Sequence, residues 1–85
     1  MKLDDAARLA RTLMDYHCLG TWVFRFDRAI RRFGCCNWTT RTISLSAVLT
    51  RSNTDEQIRD TILHEIAHAL AGPRAGHGKL WKCSG

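Results

Sequence analysis

The stretch His64-Glu65-Ile66-Ala67-His68 constrains this 85-residue chain more than any other feature. It has the pattern H-E-x-x-H, and the apolar residues before it recur at helical spacing. On a helix, two histidines four residues apart lie on one face, about 6 Å apart along the axis. Both imidazoles can then reach one zinc ion, because Zn–N bonds are about 2.0–2.1 Å long. The motif therefore predicts a helix that carries two zinc ligands, His64 and His68.

Glu65 lies between these histidines, where it cannot chelate with them but can reach a water molecule bound to the metal. This arrangement is typical of zinc peptidases, in which the glutamate is the general base. A catalytic zinc also needs a third protein ligand and an open position. His77 follows His68 by nine residues, and its flanking glycines, Gly76 and Gly78, allow the chain to reverse toward the helix. The sequence therefore predicts Glu65 as the catalytic base and His77 as the third ligand.

Length and composition bound the fold class. Eighty-five residues make one small domain, which buries about 60–65% of its unfolded surface, so a bound metal is expected to add stability. The sequence contains neither an apolar run of about 20 residues nor a recognisable signal peptide. We therefore expect a cytoplasmic monomer with no membrane association. None of the four cysteines forms a C-x-x-C pair, and we favour free buried thiols over a disulfide scaffold.

Hydrophobic periodicity predicts an α+β fold with an N-terminal helix, a three-stranded sheet of antiparallel type, the H-E-x-x-H helix and a C-terminal return loop. The predicted elements before residue 50 are a helix over residues 4–17 ended by Gly20, a strand over 21–26, a short helical turn over 27–33, and strands over 35–40 and 41–47. The hairpin turn between the last two strands is expected at residues 37–40.

The H-E-x-x-H helix has clear boundaries in the sequence. Thr54 and Gln57 form a capping box, so the helix is predicted to begin at about Asp55. Gly72-Pro73 is predicted to end it. Since partners of ligand histidines usually orient their rings, Asp60 and Thr61, one turn before His64, are candidates for that role.

Four segments between Trp22 and Lys82 occur in an order that is more specific than the helix alone. They are the basic Gly-Cys segment 28–36, the R-x-I-x-L-S strand 41–46, the helix 61–69 and the G-H-G-x-x-[FW] loop 76–81. In this order they resemble the SprT-like metalloprotease family, which includes the Spartan proteases that act on DNA–protein crosslinks.

The resemblance implies a small zincin-like domain over residues 1–85 that hydrolyses peptide bonds near DNA. By this resemblance His64, His68 and His77 bind zinc and Glu65 is the catalytic base. Family members usually continue beyond the G-H-G loop, and many carry a four-cysteine zinc ribbon, whereas this chain stops at Gly85. It is therefore expected to be either a minimal version of the protease or a fragment of its catalytic core.

A net charge of +5 and five clustered arginines suggest DNA as a partner. Basic patches with interleaved aromatic residues suit phosphate contact and base stacking. The predicted nucleic-acid-binding residues are Arg25, Arg28, Arg31, Arg32 and Arg41. The resulting hypothesis is a zinc metallopeptidase acting on DNA-associated proteins, which would be nucleoid-associated or nuclear if DNA-linked. The alternative is a non-enzymatic DNA- or protein-binding module stabilised by zinc, or an inactive fragment of a larger protease.

Overall fold

The computed structural model describes residues 1–72 and the backbone of residues 81–84. Within those residues the chain forms three helices and four strands. In chain order they are α1 (Leu3–Tyr16), β1 (Val23–Asp27), β2 (Gly34–Asn37), β3 (Thr42–Ser46), α2 (Ala47–Ser52), α3 (Asp55–Ala71) and β4 (Trp81–Ser84). No helix in this described part of the chain is both long and apolar enough to cross a bilayer.

The first helix has the predicted extent to within one residue at each end, but Gly20 does not end it. Cys18 takes the left-handed conformation at φ 65°. Its N–H donates to the Asp15 carbonyl at 3.2 Å, and the Leu19 N–H donates to the Met14 carbonyl at 2.8 Å. This is a Schellman cap, in which a cysteine occupies the position that glycine usually takes. The buried Leu19 side chain then anchors the chain as it leaves α1.

The sheet is mixed, with the strand order β1-β3-β2-β4. The three predicted strands are present, and β2 and β3 form an antiparallel hairpin in which Gly34 lies opposite Leu45. β4 adds a fourth strand, antiparallel to β2. The expectation of an antiparallel sheet was wrong for β1, which runs parallel to β3. Alternating hydrophobicity predicts which side chains face the core, but it carries no information about the direction of a neighbouring strand.

The predicted helical turn over residues 27–33 was wrong, because side chains supply other hydrogen bonds there. The Asp27 carboxylate accepts the Ala29 N–H at 3.0 Å, and the Ser46 hydroxyl donates to the Ala29 carbonyl at 2.6 Å. Such local bonds compete with helix formation. Ser46 also accepts the Leu49 N–H at 3.1 Å and so caps α2, a helix that the sequence pattern did not predict.

α1 and α3 pack on one face of the sheet and enclose a single core. Its buried members come from both helices and from alternate positions of the strands, and include Ala10, Met14, Cys36, Ile43, Leu45, Ile62 and Ile66. The opposite face of the sheet carries the other set of alternate side chains, and a polar groove runs along it.

The two adjacent cysteines of β2 lie in different environments because successive residues of a strand point to opposite faces of the sheet. Cys36 lies in the core as a free thiol, whereas Cys35 borders the open groove and is disulfide-bonded. Cys18 is free but exposed. The expectation of free buried thiols is therefore confirmed for Cys36 and wrong for Cys35.

Candidate metal centre

The helix that carries the histidines begins and ends as its sequence predicts. The Thr54 hydroxyl accepts the Gln57 N–H at 3.2 Å, and the Gln57 side chain accepts the Thr54 N–H at 3.4 Å. This reciprocal pair is the predicted capping box, and α3 follows from Asp55 to Ala71. At the other end Gly72 adopts φ 79°, a conformation that favours glycine.

The buried side of α3 places Glu65 toward the sheet and leaves the histidines at its margin. Apolar residues one and two turns apart, among them Ile62, Ile66 and Ala69, fill the core. Glu65 lies on this buried side with no exposed surface. His64 is exposed and His68 is half-buried at the edge of this side, so the imidazoles are open to solvent.

The two imidazole rings converge. The Nε2 atoms of His64 and His68 lie 2.9 Å apart, and the rings meet edge to face with their centroids 4.4 Å apart. Two nitrogen ligands of one tetrahedral zinc lie about 3.3 Å apart, given Zn–N bonds of about 2.0–2.1 Å. The observed pair therefore fits two ligands of one ion after the rings separate by a few tenths of an ångström.

The third predicted ligand, His77, lies outside the described residues. Within those residues no group of three or more His, Cys, Asp or Glu side chains could hold a metal ion. The chain leaves α3 at Gly72 and re-enters the described structure at Trp81, the first residue of β4. His77 belongs to the sequence that joins these two points, and its ligand role stays a prediction.

Glu65 fits against β2 only because residue 34 is glycine. A Cβ atom at Gly34 would lie 2.9 Å from Oε2 of Glu65, 3.0 Å from its Cγ and 3.2 Å from its Cδ. Contacts under 3.0 Å are essentially never found for real Cβ atoms, so any other residue would displace the carboxylate or the strand. The glycine of the basic Gly-Cys segment thus has a packing role beneath the candidate base.

Cys36 follows two residues later on the same face of β2 and also lies near Glu65. Burial raises the pKa of the Cys36 thiol from 9.0 to about 12, and the charge of Glu65 adds to the rise. The group is therefore a neutral thiol at physiological pH, packed in the core between the sheet and α3.

One residue at this site was missed by sequence reasoning, which counted Trp38 only among the aromatic residues interleaved with the clustered arginines. Its indole N–H donates to the backbone carbonyl of His68 at 3.2 Å. The predicted orienting residues behave differently. The Thr61 hydroxyl donates to the Gln57 carbonyl of its own helix at 2.9 Å, and Asp60 is exposed.

The five arginines do not surround the histidines. Arg25 alternates along β1 with Phe24 and Phe26, which pack against the core, so it lies on the open face of the sheet. There, Arg25 and Arg32 border a groove of about 590 Å³ with polar residues of β2 and β3. Arg32 also lies 3.6 Å from the carboxylate of Asp27.

The remaining three arginines lie in the connections between strands. Arg28 and Arg31 belong to the segment between β1 and β2, and Arg41 ends the β2–β3 turn at φ 50°. The sheet therefore separates Arg25 and Arg32 from the helix layer that carries His64 and His68.

Comparison with known proteins gives one match. The sequence model of the SprT-like family matches residues 5–85, which include both the histidine motif and the arginine segment. No curated protein and no solved structure matches the chain.

Proposed function

Because the chain belongs to the SprT-like family, we propose that it is a zinc-dependent metalloendopeptidase with His64, His68 and His77 as metal ligands and Glu65 as general base. The observation that supports this most directly is the convergence of two imidazole Nε2 atoms, 2.9 Å apart, on the helix that also carries a buried glutamate. A helix whose only role was to pack in the core would need neither the converging imidazoles nor the buried carboxylate.

Each candidate site residue has a separate role in this proposal. Bound zinc would polarise the scissile carbonyl and lower the pKa of a coordinated water toward ~7. To bind zinc, His64 and His68 would each offer the Nε2 lone pair, and each imidazole would then carry its proton on Nδ1. Glu65 accepts the proton of the attacking water on its carboxylate and then donates it to the leaving amine. Gly34 leaves the space in which that carboxylate lies.

We further propose that the substrates are DNA-associated proteins. Support comes from the net charge of +5 and from the five clustered arginines, whose side chains can neutralise phosphates. Arg25 and Arg32 lie across the sheet from the histidines. DNA would then bind on the open face, while hydrolysis takes place beside α3, so the two activities should be separable by substitution.

The test of the enzymatic proposal is Glu65→Gln, which keeps a polar side chain of similar size and removes the base. We expect it to retain zinc and fold, and to lose cleavage of a DNA-binding protein substrate by at least ~100-fold. Glu56→Gln, an exposed change in the first turn of the same helix, is the matched control and should cleave as the parent does.

Two outcomes would contradict the proposal in different ways. Equal proteolysis by Glu65→Gln and the parent would eliminate Glu65 as the base. Zinc binding without proteolysis by the parent would instead favour the alternative, a non-enzymatic binding module stabilised by zinc or an inactive part of a larger protease.

A further inference from the structure

The backbone carbonyl of His68 accepts two hydrogen bonds. The Gly72 N–H donates to it at 3.1 Å as the closing bond of α3, and the Trp38 indole N–H donates to it at 3.2 Å. His68 begins the last turn of the helix, where backbone carbonyls lose their helical partners and the chain tends to fray. The indole bond therefore ties that turn to a second element of the fold.

Trp38 is itself held firmly. It directly follows β2, which pairs with β3 on one side and β4 on the other. The Asn37 side chain accepts the N–H groups of Thr39 and Thr40 at 3.0 and 3.3 Å, which fixes the turn that contains Trp38. The ring packs against the buried core. Its indole N–H is thus presented to α3 from a rigid support.

The same corner of the fold receives the chain after α3. Trp81, the first residue of β4, pairs with Asn37, the neighbour of Trp38. Gly72, at the end of α3, shares the His68 carbonyl with Trp38. The last turn of α3 and the start of β4, which bracket the sequence containing His77, therefore both contact the Asn37-Trp38 dipeptide.

We propose that Trp38 is a positioning residue for the metal centre, an inference that rests on the proposed zinc site. Its indole N–H holds the backbone of the last turn of α3 and thereby keeps the His68 imidazole converged on His64. Without the bond to that carbonyl the last turn would be free to move. Zinc would then have to immobilise it when both rings bind one ion, and the zinc affinity would fall.

The experiment compares Trp38→Phe with Trp22→Phe. Both tryptophans are half-buried and pack against the core, but Trp22 lies in the α1–β1 connection. Zinc affinity is measured by competition with a chromophoric chelator, with the apo thermal midpoint of each variant measured alongside. We expect zinc binding about three- to tenfold weaker in Trp38→Phe, the effect of one neutral hydrogen bond, and within about twofold of the parent in Trp22→Phe.

A spectroscopic readout separates positioning from general stability. The visible spectrum of the cobalt-loaded protein reports ligand geometry, and it should change in Trp38→Phe and stay unchanged in Trp22→Phe. Zinc affinity and a cobalt spectrum that match the parent in Trp38→Phe would overturn the inference. Weaker metal binding by Trp38→Phe, in a parent that shows no proteolysis, would support the inference and contradict the enzymatic proposal. A parent that binds no zinc would contradict both.

Discussion

The two faces of the sheet differ in how their candidate functional residues are assembled. On the helix side, His64, Glu65 and His68 come from five consecutive residues, and the imidazole nitrogens lie 2.9 Å apart. On the open side, Arg25 and Arg32 border a groove with polar side chains from three strands. The first arrangement is a property of one helix, whereas the second exists only after the strands have paired.

This difference predicts that the two proposed sites can be altered independently. The sheet lies between them, and Arg25 contributes to one face of β1 while Phe24 and Phe26 contribute to the other. We therefore predict that substitutions on one face leave the activity of the other face unchanged. A change at one site is best paired with a control at the other site or elsewhere on the surface.

Removal of zinc should have the largest effect on stability. Zinc that binds only the folded chain stabilises it by about 2.7 kcal/mol at a concentration of 100 times Kd. For a domain of this size, chelation should lower the thermal midpoint by roughly 10–20 °C. The triple variant Arg28→Ala/Arg31→Ala/Arg32→Ala should show the same drop, whereas His64→Ala/His68→Ala should show none. A drop that persisted without the two histidines would place the metal elsewhere.

Gly34→Ala tests the contact beneath Glu65. A Cβ atom 2.9 Å from the carboxylate oxygen has to displace Glu65 or β2, so we expect a loss of about 1–3 kcal/mol in the free energy of unfolding, together with reduced proteolysis. Gly20→Ala is the control, because a Cβ atom there would meet Asp15 at an ordinary 3.8 Å. Denaturant unfolding curves of both variants and the parent measure the loss. Equal free energies of unfolding for Gly34→Ala and Gly20→Ala would show that the close approach has no energetic cost.

Substitution of the clustered arginines should affect DNA binding alone. Each phosphate that is no longer neutralised lowers the magnitude of the log–log salt slope by about 0.7–0.9. Fluorescence anisotropy with single- and double-stranded oligonucleotides across a salt series should therefore give a shallower slope for Arg28→Ala/Arg31→Ala/Arg32→Ala. The variant Arg8→Ala/Arg51→Ala/Arg59→Ala removes the same charge from exposed helical positions. If both variants bind with the same slope, the effect is one of net charge and the proposed cluster has no special role.

Local sequence patterns predicted the parts of the molecule that depend on local physics. The Thr54–Gln57 capping box and the apolar stripe of α3 depend on residues within a few positions of one another, and both are observed. The direction of β1 and the capping of α2 by Ser46 depend on contacts between distant segments, and local patterns did not predict them.

The hydrogen bond from Trp38 to His68 spans 30 residues and joins a side chain to a backbone carbonyl. Neither hydrophobic period nor motif spacing marks such a bond, so it leaves no signal in the sequence. The close approach of Gly34 to Glu65 also could not be predicted from the sequence, although the Gly-Cys pattern identified the segment in which Gly34 lies.

The most direct test of the proposed hydrolytic centre is the zinc coordination of the intact chain, measured by X-ray absorption at the zinc edge. We predict imidazole nitrogens from three histidines and one oxygen at about 2.0–2.1 Å. The same measurement on His77→Ala should show one imidazole fewer. A sulfur ligand at about 2.3 Å, or four protein ligands with no oxygen from water, would indicate a closed structural site and contradict the proposed hydrolytic centre.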